Sequence, residues 1–288
     1  MAQLSYLSPS SVDDAVKALS GTSARALSGG TDLLVQVRSG RAQPDQIVDL
    51  KRIPGLIGIR AENGGFVIGS ATCGAMLSEH ATLSKIWPGV VEAANLIGST
   101  QVQGRASLGG NLCNASPAAD SVPALIAARA TCVVAGPAGT REAAVETIVT
   151  GPGKTSLAAG EFIIAFKLPP RGPKASDAYL RMIPRTEMDI AVAGAAVSLA
   201  LDADGVCTSA FVALGAVAPT ALLVAEAAHA LIGSRLEEAA LTRMEEAVRA
   251  ACQPISDKRG TADYRTKIAA VLAHRAAVIA WNRAKEQA

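Results

Sequence analysis

Two pairs of adjacent glycines constrain the fold of this chain more than any other feature of its sequence. The first, Gly29-Gly30, follows a short strand candidate, and the second, Gly109-Gly110, lies in a polar stretch over residues 105–120. Adjacent glycines can adopt positive φ and allow another backbone or a ligand to come close. Both pairs are therefore predicted to be tight turns that lead toward helices.

The first pair opens a predicted helix that has Thr31 as its N-cap and ends at Gly40. The free N–H groups of a first helical turn, together with the helix dipole, favour a phosphate or another anion. Asp32 would repel such a group, so its carboxylate is expected to turn aside and accept from backbone N–H groups. An ordinary tight turn is the alternative for this segment alone.

The second pair is flanked by Ser107 and Asn111, whose side chains can donate to phosphate oxygens. Ser116 is predicted to cap a helix with Pro117 at its first position. Asp120 can accept from a ribose hydroxyl, as acidic residues do in dinucleotide sites. A glycine bend before a capped helix is the alternative for this stretch alone. Together the two turns favour one extended anionic ligand, a dinucleotide or a flavin nucleotide, held from two sides.

Proline-rich residues 169–173 are the best candidate for a connector between domains. With 288 residues, half of them apolar, the chain is long enough for two domains with cores of their own. The sequence predicts an α+β domain over residues 1–172, with subdomains of about 1–55 and 56–172. A smaller α+β domain is predicted over residues 173–288.

The predicted C-terminal domain begins with two long strands, at residues 191–201 and 206–217, joined by a hairpin turn. Apolar residues then recur at helical spacing, which predicts three helices. These helices cover residues 220–232, 236–252 and 261–284.

Composition excludes several classes of function. A formal net charge of +2 is too small to favour nucleic acid as a partner, and no apolar run reaches the about 20 residues of a membrane span. Five dispersed cysteines without a C-x-x-C pair indicate reduced thiols in the cytoplasm, and the N-terminus has no signal-peptide pattern. No metal ligands are predicted.

Residues 151–155 end like a phosphate loop, but Ile148 stands where its first glycine belongs, so a surface loop is predicted.

Four segments resemble a known family in order and spacing: LSGGTDLL at residues 27–34, IGS at 97–99, SLGGNL at 107–112 and NASPAAD at 114–120. The family is the FAD-binding medium subunit of molybdenum hydroxylases, the enzymes of the xanthine dehydrogenase and carbon monoxide dehydrogenase type. Further matches lie in the C-terminal half, in YLR at residues 179–181, MDIA at 188–191 and SDKRG at 256–260, the last leading to Tyr264-Arg265.

The resemblance implies a vanillyl-alcohol-oxidase-type FAD-binding domain, followed by a C-terminal domain that consists of a small antiparallel sheet with helices. Residues 28–33 correspond to the first pyrophosphate loop. Four residues correspond to the second loop: Ser107, Gly109, Gly110 and Asn111.

The resemblance also implies contacts at the two ends of the cofactor. Asp120 is expected to reach the ribityl or ribose portion, and Ile97 with Ile163 or Ile164 to border the flavin ring or adenine. Arg181 stands where the family often has a lysine near the flavin, and a guanidinium is not an ammonium. The full set of expected cofactor-binding residues is Leu27, Ser28, Gly29, Gly30, Thr31, Asp32, Leu33, Ile97, Ser107, Gly109, Gly110, Asn111, Asn114, Ala119, Asp120, Ile163, Ile164 and Arg181.

Family enzymes oxidise substrate at a molybdenum cofactor on a large subunit and pass electrons through [2Fe-2S] clusters on a small subunit. The resemblance implies that this chain, which offers ligands for neither, binds FAD non-covalently and forwards electrons to an acceptor such as NAD, a quinone or oxygen. It also implies a dimer of heterotrimers, with no catalytic residue in this chain. The alternatives are a stand-alone FAD-dependent reductase of the same fold and a non-catalytic assembly module.

Overall fold

The computed structural model describes residues 4–21 and 23–287; Thr22 and the outer ends of the two predicted domains, residues 1–3 and 288, lie outside this description. The N-terminal strands are β1 (Ser5–Leu7), β2 (Ala24–Leu27), β3 (Gln46–Asp49), β4 (Ile59–Glu62), β5 (Gly65–Gly69), β6 (Thr131–Gly136), β7 (Gly139–Ala144), β8 (Val149–Gly151), β9 (Lys154–Thr155) and β10 (Phe162–Leu168). The C-terminal strands are β11 (Ala175–Met182), β12 (Ala193–Leu201), β13 (Cys207–Gly215) and β14 (Leu222–Leu223).

The α-helices before the proline-rich connector are α1 (Val12–Leu19), α2 (Leu33–Arg38), α3 (Gly74–Glu79), α4 (Ala81–Ile86), α5 (Pro88–Asn95), α6 (Thr100–Gln103), α7 (Leu108–Cys113) and α8 (Ser121–Ala127). Those after it are α9 (Ala225–Leu231), α10 (Glu238–Ala251) and α11 (Ala262–Glu286). Short 3₁₀ turns cover Leu50–Arg52 and Val145–Thr147.

The first sheet is parallel and has three strands in the order β1-β3-β2. The apolar face of α1 covers it, with Ala15 and Val16 in the same core as Val48. Because β2 and β3 are parallel and Leu27 lies opposite Asp49, the loops that follow both strands leave the sheet side by side. The segment after Leu27 is the first glycine loop, so the sheet fixes where that loop starts.

The second sheet has five antiparallel strands in the order β4-β5-β10-β6-β7. Its central strand β10 is largely buried on both faces, as the apolar residues on both of its faces predict. Helices α3, α4, α5, α7 and α8 share one core with this sheet, and this core includes Phe66, Trp87 and Phe166. The predicted hairpin between β4 and β5 is present, with Asn63 and Gly64 both at positive φ.

The C-terminal sheet is antiparallel, in the order β11-β12-β13-β14, and both of its faces are covered. Successive side chains of a strand point to opposite faces. Ala195, Val197 and Leu199 of β12 lie in the core formed with α9 to α11, whereas Ala196 lies in the core of the N-terminal helices. This double burial explains why β12 carries apolar residues at almost every position.

The helix predicted to start at Ser116 starts instead at Ser121. The Ser116 hydroxyl accepts from Ala118 N at 3.2 Å, which closes a turn, and Pro117 O accepts from Ala216 N of the C-terminal region at 2.7 Å. The first free N–H of α8, on Ser121, is satisfied by Asn111 Oδ1 at 3.1 Å. The cap therefore comes from a distant side chain that helix-start rules do not consider.

Two other predicted helix starts are wrong. The helix expected from residue 220 begins at Ala225, because Leu222 and Leu223 pair with β13 as a short strand. Thr31 is not an N-cap: α2 begins at Leu33, and Asp32 occupies the cap position without a side-chain hydrogen bond there. The other two C-terminal helices start within two residues of expectation, and Thr261 caps α11 by accepting from Tyr264 N at 3.2 Å.

Candidate cofactor site

The two glycine loops touch each other. Ser28 Oγ lies 2.8 Å from Ser107 Oγ, and a Cβ built on Gly29 would lie 1.9 Å from the carbonyl oxygen of Arg105. Gly29 is therefore required so that the second loop can pack against the first. Gly30 has a φ of +79°, the left-handed conformation in which glycine is not strained.

The second loop is the start of α7, with Ser107 as its N-cap. Ser107 Oγ accepts from Gly110 N at 3.2 Å, and Gly109 N donates to Ser70 O at 3.1 Å. A Cβ on Gly109 would lie 2.6 Å from that carbonyl oxygen, so this glycine is needed for packing. A Cβ on Gly110 would meet only Ser107 Oγ, at 3.3 Å. Apart from this tight contact, the protein leaves space next to Gly110.

The loops differ in what they can offer a ligand. In the described chain, the backbone N–H groups of Gly29, Gly30 and Thr31 make no hydrogen bond to the protein, whereas those of Gly109, Gly110 and Asn111 do. Asn111 Oδ1 is also occupied, accepting from the N–H and the hydroxyl of Ser121. The first loop thus presents backbone donors, and the second can contribute the Ser107 hydroxyl and the Asn111 side-chain NH₂ group.

A cleft of about 580 Å³ opens above the two loops. Its lining includes the end of α1, strand β2 and several residues of the segment over residues 153–163. The expected site residues that line the cleft are Ser28, Gly29, Gly30, Thr31, Asp32, Leu33, Ile97, Ser107, Gly109, Gly110, Asn111, Asn114 and Ile163. The cleft therefore brings together both glycine loops and residues far from them in sequence.

Five of the expected residues do not line this cleft. Leu27 and Ala119 are buried beneath it, with 6% and 5% of their surface exposed. Ile164 packs against the core that α1 forms with the parallel sheet, because successive residues of β10 point to opposite faces and Ile163 lies in the other core. The last two, Asp120 and Arg181, lie at the contact between the N- and C-terminal regions.

Asp120 and Arg181 form a buried ion pair. Arg181 Nη1 donates to Asp120 Oδ2 at 2.6 Å, and the Tyr179 hydroxyl donates to Asp120 Oδ1 at 3.1 Å. Burial raises the pKa of Asp120 to about 6, although its partners Arg181 and Tyr179 act in the opposite direction. The Nε–H of Arg181 is buried and has no hydrogen-bond partner in the described chain. Carboxylate and guanidinium are thus committed mainly to each other.

The sequence interpretation missed one wall of the cleft. Residues 157–161 approach the end of α1, where Gly160 N donates to Leu19 O at 3.1 Å, and Glu161 is fixed by Arg141 at 2.7 Å. Gly153 and Thr155, in the segment predicted to be only a surface loop, also line the cleft. Other lining residues outside the expected set include Gly21, Arg25, Gln36, Leu50, Ser70 and Cys113. No local motif marks them, since folding alone brings them to the cleft.

Asp32 is the acidic residue of the first glycine loop. Asp32 lines the cleft, and the hydrogen bond expected between its carboxylate and the N–H groups of its own loop is not formed. Over residues 4–21 and 23–287, no cluster of three or more His, Cys, Asp or Glu side chains is arranged to hold a metal ion. Within the same residues, no helix combines the length and the apolar character needed to cross a membrane.

Comparison with known protein families identifies this architecture. Residues 2–171 match the model of the FAD-binding domain in molybdopterin dehydrogenase, and residues 178–279 match the C-terminal domain of carbon monoxide dehydrogenase flavoprotein. The chain belongs to this flavoprotein family. The family resemblance and the α+β fold expected from the sequence are confirmed, as are the oxidoreductase class and FAD as its cofactor.

Members of the flavoprotein family from several bacteria are similar over nearly the whole chain. The carbon monoxide dehydrogenase medium chain of Afipia carboxidovorans is 35% identical, with 97% of each chain covered. A putative xanthine dehydrogenase FAD-binding subunit of Escherichia coli is 32% identical, covering 91% of this chain and 90% of the relative. Among solved structures, reconstituted carbon monoxide dehydrogenase from Oligotropha carboxidovorans superposes with a TM-score of 0.94 at 34% identity, covering 98% of each chain.

The cleft fits the FAD of this flavoprotein family. A pyrophosphate requires hydrogen-bond donors, which residues 29–31 supply in the loop before α2, since their N–H groups have no partner among the described residues. It also requires backbone that can be approached closely, and the space next to Gly110 provides this. The cleft's volume of about 580 Å³, with a lining that includes both the end of α1 and Ile97, suits a dinucleotide better than a single phosphate.

Proposed function

We propose that this chain is the electron-transfer flavoprotein subunit of a molybdenum-containing hydroxylase. In this role it receives electrons from the [2Fe-2S] clusters of a partner subunit and delivers them to an external acceptor. Bound FAD supplies the redox chemistry, because it can exchange electrons singly with a cluster and in pairs with an organic acceptor. The protein contributes binding, orientation and electrostatics.

The cleft between the two glycine loops is the observation that carries this proposal. It offers hydrogen-bond donors and a glycine-lined slot, and the described residues around it include no metal-ligand cluster. The similar proteins are named as medium chains and FAD-binding subunits of dehydrogenases. A chain of this kind needs partners for its complete reaction, so substrate chemistry is assigned to another subunit.

Residues 28–33 and 107–111 are proposed to hold the two phosphates from opposite sides. The N–H groups of Gly29 and Gly30 donate to one phosphate, and the Ser107 hydroxyl and the Asn111 side-chain amide donate to the other. The hydrogen bond between Ser28 and Ser107 keeps the two loops in contact, so both sets of donors stay aligned. Ile97 and Ile163 supply apolar surface further along the cleft.

Asp120 and Arg181 are proposed to act at the flavin side as a pair. The pair joins the first turn of α8 to the end of β11, and Tyr179 holds the carboxylate from the same face of that strand. A sugar hydroxyl can donate to Asp120, and an acceptor oxygen of the flavin can take the free Nε–H of Arg181. Leu27, Asn114, Ala119 and Ile164 support the loops from beneath or beside them.

The complex is proposed to contain a large molybdenum-cofactor subunit and a small [2Fe-2S] subunit, assembled as a dimer of heterotrimers. Within this chain we place the FAD-binding domain at residues 1–172 and the C-terminal domain at residues 173–288. The gap between the end of β10 at Leu168 and the start of β11 at Ala175 supports this division. All five cysteines are free, which supports a reducing compartment, the cytoplasm.

The test is purification of the tagged full-length chain from the cells that produce it. We expect stoichiometric FAD, released by acid without proteolysis, and two co-purifying chains, one with [2Fe-2S] clusters and one with molybdenum. A chain without flavin would contradict the proposal. So would a flavin-loaded chain that has no partners and turns over a small organic substrate alone, which is the behaviour of a stand-alone reductase.

A further inference from the structure

A lysine behind the first glycine loop holds the backbone of that loop. Lys51 Nζ donates to the carbonyl oxygen of Ser28 at 2.9 Å and to Asp49 Oδ1 at 2.6 Å. Lys51 lies in the 3₁₀ turn that follows β3 and is not among the residues that line the cleft. Leu50, its neighbour, lines the cleft, whereas Lys51 itself does not. The lysine can therefore influence a ligand only through the loop.

The position of Lys51 is set by a buried carboxylate. Asp49 Oδ1 accepts from the backbone N–H of Lys51 at 3.0 Å as well as from its ammonium group, and Asp49 Oδ2 accepts from the Tyr6 hydroxyl at 2.5 Å. Burial raises the pKa of Asp49, but the hydrogen bonds from Lys51 and Tyr6 outweigh it and leave the pKa below its usual value. Asp49 is thus a charged anchor at neutral pH.

The parallel sheet explains why these groups meet the loop. Tyr6, Asp49 and Leu27 lie near the carboxyl ends of β1, β3 and β2, with Leu27 directly opposite Asp49. The next residue after Leu27 is Ser28. The chain of contacts from Tyr6 through Asp49 and Lys51 therefore ends on the first carbonyl group beyond the sheet.

Peptide geometry transmits this contact to the ligand side of the loop. The Ser28–Gly29 peptide is trans, so the Ser28 C=O and the Gly29 N–H point in opposite directions. Lys51 binds the carbonyl group from behind, which directs the Gly29 N–H away from Lys51. Gly29 lines the cleft, and its N–H makes no hydrogen bond to the described protein.

We infer that Lys51, anchored by Asp49 and Tyr6, is a positioning residue that orients the Ser28–Gly29 peptide for the pyrophosphate of FAD. This inference rests on the proposed placement of the phosphates against residues 28–33. Without Lys51, the Ser28 carbonyl group loses its hydrogen bond to the ammonium group, and the glycine-containing peptide can sample other orientations. The Gly29 N–H then faces the cleft for only part of the time, and binding weakens in proportion.

The experiment measures affinity for FAD and for ADP, by isothermal titration calorimetry on the full-length chain freed of flavin. ADP carries the pyrophosphate without the flavin. We expect Lys51→Met to lower the affinity for FAD and the affinity for ADP by the same factor, about tenfold. This loss corresponds to one hydrogen bond involving a charged group. Lys51→Arg should restore most of the affinity, because a guanidinium can also donate to the carbonyl group and to Asp49.

The matched control is Arg52→Met, which removes an equal charge from the adjacent, exposed position. We expect it to leave both affinities unchanged. Tyr6→Phe removes only the hydroxyl that holds Asp49, and should weaken both ligands less than Lys51→Met does. The circular dichroism and melting temperature of the flavin-free chain show whether Lys51→Met folds. If it does not, Tyr6→Phe replaces it as the test variant.

Three results would overturn the inference: unchanged affinity in Lys51→Met, an equal loss in Arg52→Met, or a loss for FAD without a loss for ADP. The second would mean that overall positive charge attracts the ligand, and the third that Lys51 acts away from the pyrophosphate. If the unmodified chain bound neither FAD nor ADP, the proposed function itself would fail. These outcomes are distinguishable because the unmodified chain is measured first.

Discussion

Gly110→Val separates the needs of the ligand from those of the fold. A Cβ at Gly110 meets Ser107 Oγ at 3.3 Å, a tight contact that the serine hydroxyl must relieve by a few tenths of an ångström, and it has no other neighbour within 4 Å outside the backbone of its own helix. Gly110 lies within α7, where replacing glycine does not lower helix propensity. The flavin-free variant should therefore melt within a few degrees of the unmodified chain.

The expected loss of binding follows from the phosphate contacts. A valine beside the second loop displaces the pyrophosphate by about the width of a methyl group, which breaks at least two hydrogen bonds to charged oxygens. At about 1.5–3 kcal/mol each, the loss is about 3–6 kcal/mol, or roughly 10²- to 10⁴-fold in Kd. The variant should be purified without flavin and should not regain it when FAD is added.

The control is the neighbouring glycine. Gly109→Ala places a Cβ 2.6 Å from Ser70 O and 2.9 Å from Ser70 Cβ, so the fold must shift. We expect a loss of about 1–3 kcal/mol in the free energy of unfolding, measured by urea denaturation of the flavin-free chain. Gly110→Val with stoichiometric FAD would refute the placement of the pyrophosphate. Equal destabilisation by both substitutions would refute the assignment of Gly109 to packing and of Gly110 to ligand binding.

Three further predictions concern the polar contacts between the N- and C-terminal regions. Asp120→Ala should weaken FAD binding by about 1–3 kcal/mol if its carboxylate holds a sugar hydroxyl, and calorimetry showing unchanged affinity would remove it from the site. The pKa of Asp120 rises from 3.8 to about 6 on folding, so the folded chain holds the proton more tightly than the unfolded chain does. The free energy of unfolding of the unmodified chain, relative to that of Asp120→Asn, should therefore fall as pH rises from about 4 to about 6 and then stay level. Unfolding free energies of the two proteins that change in parallel with pH, measured by denaturation, would contradict this. Arg171 stacks on Trp87 at 3.4 Å and binds Asp177 at 2.7 Å, and both partners are buried, so Arg171→Ala should lower the free energy of unfolding by about 3–5 kcal/mol. The control Lys167→Ala breaks an exposed ion pair with Glu142 and should lower it by about 0–1 kcal/mol. Similar losses in the two variants would contradict the role of burial.

Local chemistry made the first glycine loop predictable. Gly29-Gly30 was predicted as a turn, and Gly30 has positive φ in the loop before α2. Gly109-Gly110 was also predicted as a turn, which is wrong: both glycines lie in the first turn of α7, and neither has positive φ. The reason why each position requires glycine was not predictable, because it depends on distant backbone: Gly29 packs against Arg105, and Gly109 packs against Ser70. A sequence motif records which residue is required but not which neighbour requires it.

Long-range contacts account for most of what the sequence did not predict. Ser116 has the features of an N-cap, but Asn111 caps α8 from the second glycine loop, and the C-terminal region binds Pro117 O. Leu222 and Leu223 fit a helical pattern, yet pairing with β13 satisfies their backbone as a strand. In each case a partner outside the local window decided the local structure.

The cleft shows the same division between local and distant information. Residues 28–33 and 107–111 could be assigned to a binding site from their own chemistry, whereas the wall over residues 157–161 carries no motif and is positioned by contacts with the end of α1. Asp120 and Arg181 were both expected near the cofactor, but their direct ion pair required the docking of β11 against α8. Whether these two residues contact the cofactor stays a prediction.

Electron transfer into this chain is tested most directly by anaerobic rapid mixing with a reduced [2Fe-2S] partner subunit purified from the same complex. The visible absorbance of the flavin reports its reduction, and Gly110→Val provides a chain without flavin as the control. The account predicts bleaching of the flavin at a rate that depends on the concentration of the partner, followed by recovery when an acceptor is added. Flavin that stays oxidised in the presence of the reduced partner would contradict it.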